Sequence, residues 1–337
     1  MNKLKRIIQK KFSNIFIAII SEKNEYLLTY IIIKNENIIK KDEKKFSMDE
    51  NKQLSSDIIE FISSLQKKYK FVYISYLLDS LSQNCLPTCD DKKLKQYNIN
   101  QKDIVSVCVK KTWMAYASKT DIKWINQKFK PIGLDFTFSS FLLLNNFATN
   151  AKQRNKNTLH MQYMENSLTI LIFDNKNIVF SAFFKIPYKE FNFEEDELKL
   201  ENDEDITSGI ELENIESEEE EFEAFVDISK LEEDNFDDDN DILSSAQEDI
   251  KSSSIEDLEL YGREVIIFKY LQSAIEEYYK SDNYSVAFID DVIIYNDSNI
   301  SNDIINMIEN DLFLNVEIHK IDVREEIINM SIEEVDF

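Results

Sequence analysis

The sequence predicts an α/β protein of two domains, each opened by a three-stranded antiparallel meander. Three β-type runs lie near the start of the chain, at Ile15–Ser21, Tyr26–Ile33 and Asn37–Phe46, with short polar turns between them. The same pattern recurs in the middle of the chain, in Thr158–Ile186. A helical pattern and a buried strand follow the first meander, and this order of elements is typical of a layered α/β domain.

Hydrophobic periodicity predicts the rest of the first domain, which we assign to residues 1–150. Leu54 and Ile58 belong to an apolar stripe at helical spacing, so we expect a helix over Met48–Tyr69, capped by Ser47 or Asp49. The elements expected after it are a strand at Phe71–Leu77, a loop at Ser80–Asn98, strands at Ile104–Val109 and Trp113–Ser118, a helix at Asp121–Phe129, a strand at Leu134–Phe138, a helix at Ser139–Phe147 and a polar hinge at Ala148–Asn157.

The second domain is predicted to combine residues 151–188 with residues 258–337. Its meander has turns at Glu165-Asn166 and at Asp174–Asn177, and Asn and Asp tolerate the left-handed backbone that tight turns need. The elements expected after the meander are a helix at Ile255–Lys280, strands at Tyr284–Ile289 and Val292–Tyr295, a helix at Asn299–Asn310 and a strand at Asn315–Ile321.

One segment accounts for the net charge of −25. Residues 189–260 contain 30 acidic and 4 basic side chains, a net charge of −26, so the rest of the chain is close to neutral. A segment with this much charge does not bury enough apolar surface to fold, so we expect residues 189–257 to be a disordered insertion. Scattered Phe and Leu residues also suit a segment that folds on a basic partner, and an acidic adaptor acting through this insertion is one alternative function.

Candidate catalytic and metal-binding residues are few. Cys85, Cys89 and Cys108 are too few and too oddly spaced for a disulfide framework or a zinc site, so we expect reduced thiols. The two histidines, His160 and His319, both lie in predicted strands, where a structural role is the usual one. Nucleophile-elbow, Walker-type and zinc-protease motifs do not occur. We therefore predict no catalytic residue, no metal and no enzymatic activity.

The start of the chain is basic, with five cationic side chains at Lys3, Lys5, Arg6, Lys10 and Lys11. Such a stretch is either a solvated leader or a peripheral contact to an anionic membrane or an acidic partner. No apolar run approaches the roughly 18 residues of a membrane span. The expected location is therefore the cytoplasm, with peripheral contact to the inner membrane as an option. The acidic total disfavours a nucleic-acid partner.

The order of these elements resembles the PilM and GspL group of actin-fold assembly proteins. The basic leader, the domain-opening meander that recurs in mid-chain and the closing helix–strand–loop–helix–strand run carry the resemblance. It implies two actin-like (ribonuclease-H-like) α/β domains. It also implies a cytoplasmic component of a type IV pilus, DNA-uptake or type II secretion machine, with inner-membrane assembly proteins as its partners.

The resemblance also shows where ATP-binding relatives hold phosphate. The first phosphate loop corresponds to Ser21–Asn24, with Glu22, Lys23 and Asn24, the second to Tyr163–Asn166, with Glu165 and Asn166, and the nucleoside-side loop to Tyr295–Ser298. None of the three contains Gly, although phosphate loops need close approach of backbone amides. An unpaired carboxylate at Glu22 or Glu165 would repel a triphosphate, so we expect degenerate loops and no nucleotide cofactor.

Two functions from different classes follow. The first is a non-enzymatic actin-like scaffold that acts by binding. The second is an ATP-binding actin-like protein with degenerate phosphate loops.

Overall fold

The structure is a computed structural model that describes residues 11–49, 53–150, 157–174, 177–186, 244–280, 287–296 and 300–335, with side chains of the long helix described from residue 262. The predicted basic side chains Lys3, Lys5, Arg6 and Lys10 lie outside these ranges, as does most of the predicted acidic insertion. By contacts, residues 1–187 and 258–337 form one compact unit and residues 188–257 another. The division of the first unit into two domains stays a prediction.

The described residues form thirteen strands and six α-helices. The strands are β1 (Asn14–Glu22), β2 (Glu25–Lys34), β3 (Asn37–Ser47), β4 (Phe71–Leu78), β5 (Asn84–Leu86), β6 (Ile104–Val109), β7 (Trp113–Ser118), β8 (Phe136–Ser139), β9 (Thr158–Met164), β10 (Ser167–Asp174), β11 (Asn177–Lys185), β12 (Asp291–Asn296) and β13 (Asn315–Lys320). The helices are α1 (Ser56–Lys68), α2 (Lys119–Lys128), α3 (Ser140–Asn150), α4 (Ser244–Lys280), α5 (Asn302–Asp311) and α6 (Val323–Glu334).

Two five-stranded sheets share one topology. The first has the order β3-β2-β1-β4-β8 and the second the order β11-β10-β9-β12-β13. In each sheet the meander is antiparallel, and the two later strands run parallel to the meander's first strand. The predicted α/β class, with two meander-opened halves of the actin-like kind, is therefore confirmed.

Helices cover the sheets because their apolar stripes pack against the buried faces. Helices α1 and α2 pack on one face of the first sheet, and α4 and α5 pack on one face of the second sheet. Helix α3 contributes Phe141, Leu144 and Ala148 to a core with Leu171 and Tyr295 of the second sheet. Although α3 follows a strand of the first sheet, it therefore also covers the second.

The last helix returns to the first sheet, which the sequence analysis did not predict. Val323, Ile327 and Ile328 of α6 are fully buried against Phe16 and Ala18 of β1. The Oγ atoms of Ser75 and Ser331 share a buried hydrogen bond. The end of the chain thus completes the core of the domain that begins it.

Two predicted helix starts differ from the structure. Helix α1 begins after Ser55 and not at Met48, because the Met48 amide donates to the carbonyl of Asn24 and keeps this part of the chain extended (2.8 Å). Helix α4 begins at Ser244 and not at Ile255, so it enters the segment that we expected to be disordered.

The predicted strand at Tyr284–Ile289 is not formed in its described part. The Ala287 amide donates to the Tyr278 hydroxyl (2.9 Å), and the Ile289 amide donates to the Tyr279 hydroxyl (3.0 Å). Side chains of α4 thus take the hydrogen bonds that a neighbouring strand would otherwise supply.

A third, small sheet of order β5-β7-β6 corrects the prediction of reduced thiols. Cys89 and Cys108 form a disulfide, with their Cα atoms 5.5 Å apart, and Cys85 is a free, buried thiol. Cys89 follows β5 and Cys108 lies in β6, and both strands pair with β7. Strand pairing therefore brings together two cysteines whose spacing along the chain gave no sign of a bond.

Candidate functional site

The candidate site lies where the first turns of the two meanders face each other. Each turn has two residues, because Glu22 pairs with Glu25 across the first hairpin and Met164 pairs with Ser167 across the second. Lys23 adopts a left-handed backbone with φ of 49°, as tight hairpins require. The first turn therefore presents Lys23 and Asn24, and the second presents Glu165 and Asn166.

Glu165 is held between two cations. Its Oε1 atom lies 3.1 Å from Nζ of Lys23, and its Oε2 atom lies 3.0 Å from Nη1 of Arg263 on α4. Arg263 also donates from Nη2 to the carbonyl oxygen of Met164 (2.8 Å), and its guanidinium lies over the Tyr163 ring, 4.6 Å from the centroid. One carboxylate therefore ties the two turns and the long helix together.

The two cations decide the protonation state of Glu165. Partial burial alone would raise the pKa of this carboxyl group, but Arg263 and Lys23 outweigh burial and lower the pKa below its ordinary value. Glu165 is therefore an anion at neutral pH, and its charge is balanced within the protein.

Asn166 and Asp79 join the turns on the other side of Glu165. The Asn166 amide donates to the carbonyl oxygen of Ser21 (3.0 Å) and to Oδ2 of Asp79 (3.1 Å). Asp79 follows β4 and forms an ion pair with Lys185 at the end of β11. The polar groups of both turns are thus bonded to each other across the space between the sheets.

A small cavity of about 10 Å³ lies beside the turns, which is about the volume that one water molecule needs. It is lined by Ile20, Ser21, Leu77, Leu78, Asp79, Ser140, Met164, Asn166 and Ser167.

The structure brings together some of the predicted phosphate-loop positions and not others. Lys23 contacts Glu165, whereas Glu22 ends β1 and the Asn24 carbonyl accepts the Met48 amide. In the third predicted loop, Asn296 is buried at the end of β12, and its two following residues lie outside the described ranges. Arg263 was missed, because nothing in the linear sequence connects it to a turn 98 residues earlier.

The two histidines lie elsewhere, beside Tyr295 on the second sheet. Nδ1 of His160 is 3.1 Å from the Tyr295 hydroxyl, and the His319 ring stacks on the other side of Tyr295. Burial, with a smaller contribution from His319, lowers the pKa of His160 to about 4, so it is neutral at physiological pH. His319 is half-exposed and lies 2.9 Å from Glu317.

Two searches of the described residues bear on other functions. No group of three or more His, Cys, Asp or Glu side chains is arranged to hold a metal ion in this part of the chain. Among the described helices, none has both the length and the apolar composition that a membrane crossing requires.

Comparison with solved structures supports the assignment of the fold. The chain is similar to PilM in the structure titled "PilM-PilN type IV pilus biogenesis complex", with a TM-score of 0.50 and 9% identity over 94% of this chain and 90% of that one. A Bacteroides thetaiotaomicron protein "with actin-like ATPase fold and unknown function" gives a TM-score of 0.46 and 10% identity over 98% and 99% of the chains. The ethanolamine utilization protein EutJ from Carboxydothermus hydrogenoformans gives 0.39 and 7% over 93% and 86%.

The likeness to PilM confirms the predicted resemblance at the level of the actin-like fold. No curated protein matches the sequence. Residues 12–145 match the model of a domain of unknown function, DUF8569. Residues 159–336 match a second model, and this match covers more than half of the chain. The chain therefore belongs to the family described as domain of unknown function DUF8341.

Proposed function

We propose that this protein is a non-enzymatic, actin-like scaffold of the cytoplasm that docks on an inner-membrane assembly complex of the type IV pilus, DNA-uptake or type II secretion kind. The observation that carries the proposal is the position of Glu165. Its carboxylate forms ion pairs with both Lys23 and Arg263, between the two turns where ATP-binding relatives hold phosphate.

Electrostatics at the two turns argue against a bound nucleotide. A triphosphate needs cations and free backbone amides, and here the cations already neutralise a carboxylate. Phosphate oxygens entering this space would have to break two ion pairs and then lie beside the anionic Glu165.

The partner class rests on the fold shared with PilM. That protein was solved in complex with PilN, as part of type IV pilus biogenesis, and the likeness covers 94% of the present chain. A scaffold of this fold acts through its surfaces and not through the space between its halves. Lys11 is exposed at the start of the described residues, in keeping with a peripheral contact of the basic leader to the inner membrane.

Thermal unfolding with and without nucleotide tests the binding-only function. Any ligand that binds the native state raises the melting temperature by mass action. We expect millimolar Mg-ATP or Mg-ADP to leave the melting temperature of the wild-type protein unchanged. The Glu165→Ala variant is the matched comparison, because it removes the carboxylate that pairs with Lys23 and Arg263. A rise in the wild-type protein would contradict the proposal.

An ATP-binding actin-like protein is the second candidate, because Lys23 and Arg263 are two cations at the position of the phosphates. If Glu165 swung away, both could contact a polyphosphate. This function predicts a melting-temperature rise with Mg-ATP in the wild-type protein. It also predicts ATP hydrolysis that is lost on changing Glu165 or Asp174, whereas a scaffold does not hydrolyse ATP.

Fractionation of cells tests the partner class. We expect the protein to co-purify with inner-membrane assembly proteins and to leave the membrane fraction when those proteins are deleted. A strictly cytosolic, partner-free monomer would contradict the scaffold function. Deletion of Phe191–Asp257 tests the third alternative, an acidic adaptor that acts through its insertion. An adaptor of this kind would lose membrane association on deletion, while the remaining chain keeps its melting temperature.

A further inference from the structure

We propose that the outer edge of β6 is a docking site for an extended, acidic segment of a partner protein, which joins the small sheet as a fourth strand. The inference deepens the proposed scaffold function, on which it rests, by naming a surface and the chemistry of its partner. It depends on strand pairing, exposure and charge at β6.

Strand β6 has a partner on one side only. It pairs with β7 over its whole length, from Ile104 with Ser118 to Val109 with Trp113, and it ends the sheet order β5-β7-β6. The opposite edge of the same sheet is covered, because Ser181 of β11 donates to the Asn84 side chain (2.6 Å) and to the Cys85 carbonyl (3.0 Å). Within the described residues, the open hydrogen-bonding edge of the small sheet is therefore β6.

Three other sheet edges carry protection that β6 lacks. Proteins commonly guard open edges with charged side chains, Pro or very short strands. Strand β3 has six consecutive charged residues from Lys40 to Lys45, β13 contains Glu317 and Lys320, and β8 has only four residues. The sequence of β6, IVSVCV, contains no charged residue, no Pro and no Gly. An unguarded edge of this kind is suited to pairing with another strand.

The side chains of β6 are also exposed. Val105 is 43% exposed and Val107 is 56% exposed, and because side chains alternate along a strand the two lie on one face. Ser106 and Cys108 are exposed on the other face. An added strand would cover the two valines with its own apolar side chains at alternate positions, as in other cases of β-strand addition.

The charges that flank β6 are basic in sum. Lys102 and Asp103 precede the strand and Lys110 and Lys111 follow it; all four are exposed, and they carry a net charge of +2. None of the three lysines is ion-paired to a carboxylate within the described residues. Carboxylates of an incoming strand opposite Lys110 and Lys111 would complement this end of the edge.

The same charges disfavour a second copy of this chain as the occupant. In an antiparallel pair of β6 strands centred on Ser106 and Val107, Lys102 of one copy would lie opposite Lys111 of the other, and Asp103 would lie opposite Lys110. In a parallel pair, like residues would meet, which is destabilising. Because the flanks of each copy carry a net charge of +2, an acidic segment complements this edge better than a second copy does.

The edge is already ordered before a partner arrives. Strand β7 pairs with β6 over its whole length and supplies its full hydrogen-bond ladder on the inner side. Docking then requires only the incoming segment to become ordered, which reduces the entropic cost of association.

A peptide titration on the full chain tests the proposal. The probe is a synthetic, fluorescein-labelled peptide of alternating valine and glutamate, followed by fluorescence anisotropy. We expect saturable binding, and we expect a peptide with lysine in place of glutamate to bind about tenfold more weakly or worse. The double variant Val105→Asn, Val107→Asn removes the exposed apolar face without adding charge and should weaken binding by at least about tenfold, whereas Ile38→Asn, Ile39→Asn on the charged edge β3 should leave it unchanged.

Hydrogen exchange separates strand addition from general charge attraction. Bound acidic peptide should slow amide exchange in residues 104–109, and a peptide N-methylated at alternate residues should not bind. Absence of saturable binding in the millimolar range, equal binding by the Val105→Asn, Val107→Asn variant, or protection elsewhere would overturn the inference. The scaffold function is judged separately, because the nucleotide and membrane-fractionation tests use the wild-type edge and no peptide.

Discussion

Lys23 and Glu165 lie at the tips of two hairpins that open separate halves of the chain, and their charged atoms are 3.1 Å apart. Arg263 completes the contact from the long helix. Each of the three residues comes from a different part of the sequence, so the contact forms only when both sheets and α4 are in place. Its removal should therefore be felt in the stability of the whole unit.

Glu165→Ala is predicted to lower the free energy of unfolding by about 1–3 kcal/mol, because it leaves the partly buried Arg263 without its anion. Chemical denaturation measures this change. The control is Glu25→Ala, whose contact with Lys45 is long (3.9 Å) and exposed, and for which we expect a change within about 0.5 kcal/mol. Equal effects of the two substitutions would show that the ion pairs of Glu165 do not stabilise the fold.

His160 is predicted to make stability depend on pH between about 6.5 and about 4. Burial lowers the pKa of the folded histidine to about 4, so the unfolded chain binds a proton first as the pH falls. Its contribution is present in full above the unfolded pKa of about 6.5 and is lost as the pH falls towards 4, at up to about 1.4 kcal/mol per pH unit.

Unfolding free energies of the wild type, His160→Gln and His319→Gln across this pH range check the prediction. We expect His160→Gln to flatten the slope, and His319→Gln shows how the slope responds to the half-exposed ring that stacks on Tyr295. A slope that survives in His160→Gln would assign the pH dependence to other groups.

The number of reactive thiols among Cys85, Cys89 and Cys108 is predicted to differ between the native, the denatured and the reduced and denatured protein. The disulfide holds Cys89 and Cys108, and burial raises the pKa of the Cys85 thiol to about 12. The native protein should therefore react slowly with thiol reagents, the denatured protein should show one thiol, and the reduced and denatured protein three. Three thiols without reductant would mean that the disulfide does not form.

Acid-quenched alkylation in cells extends this measurement to the proposed location. Stable disulfides are rare in a reducing cytosol. A fully oxidised pair in growing cells would therefore argue against the cytoplasmic part of the proposed function, whereas the reduced form would agree with it.

The parts of the fold that were predicted correctly are those encoded by local patterns. Alternation and turn residues placed the meander strands, including the hairpin turns that contain Lys23 and Glu165. The contact between these two residues could not be predicted, because it depends on how two sheets dock. The disulfide was missed because it depends on strand pairing. Strand β7 pairs with both β5 and β6, and this brings Cys89, which follows β5, next to Cys108 in β6.

The last helix, α6, was missed although its signals are local. The Asp322 side chain accepts the Glu325 amide as an N-cap (2.9 Å), and the apolar residues Val323 and Ile327 follow at helical spacing. The surface it packs against, however, is distant in the sequence, because the helix packs on the first sheet.

Ile327→Ala in α6 is predicted to destabilise the protein by about 2–5 kcal/mol, because Ile327 is fully buried in the core that α6 shares with β1. Glu333→Ala, on the exposed side of the same helix, is the control and should change stability by less than about 0.5 kcal/mol.

Hydrogen exchange of the Ile327→Ala variant shows which strands lose stability. If α6 completes the first sheet, amides of β1 and β4 should exchange faster in Ile327→Ala while those of β10 keep their protection. A loss confined to the second sheet would mean that the end of the chain stabilises its own half and not the half that begins it.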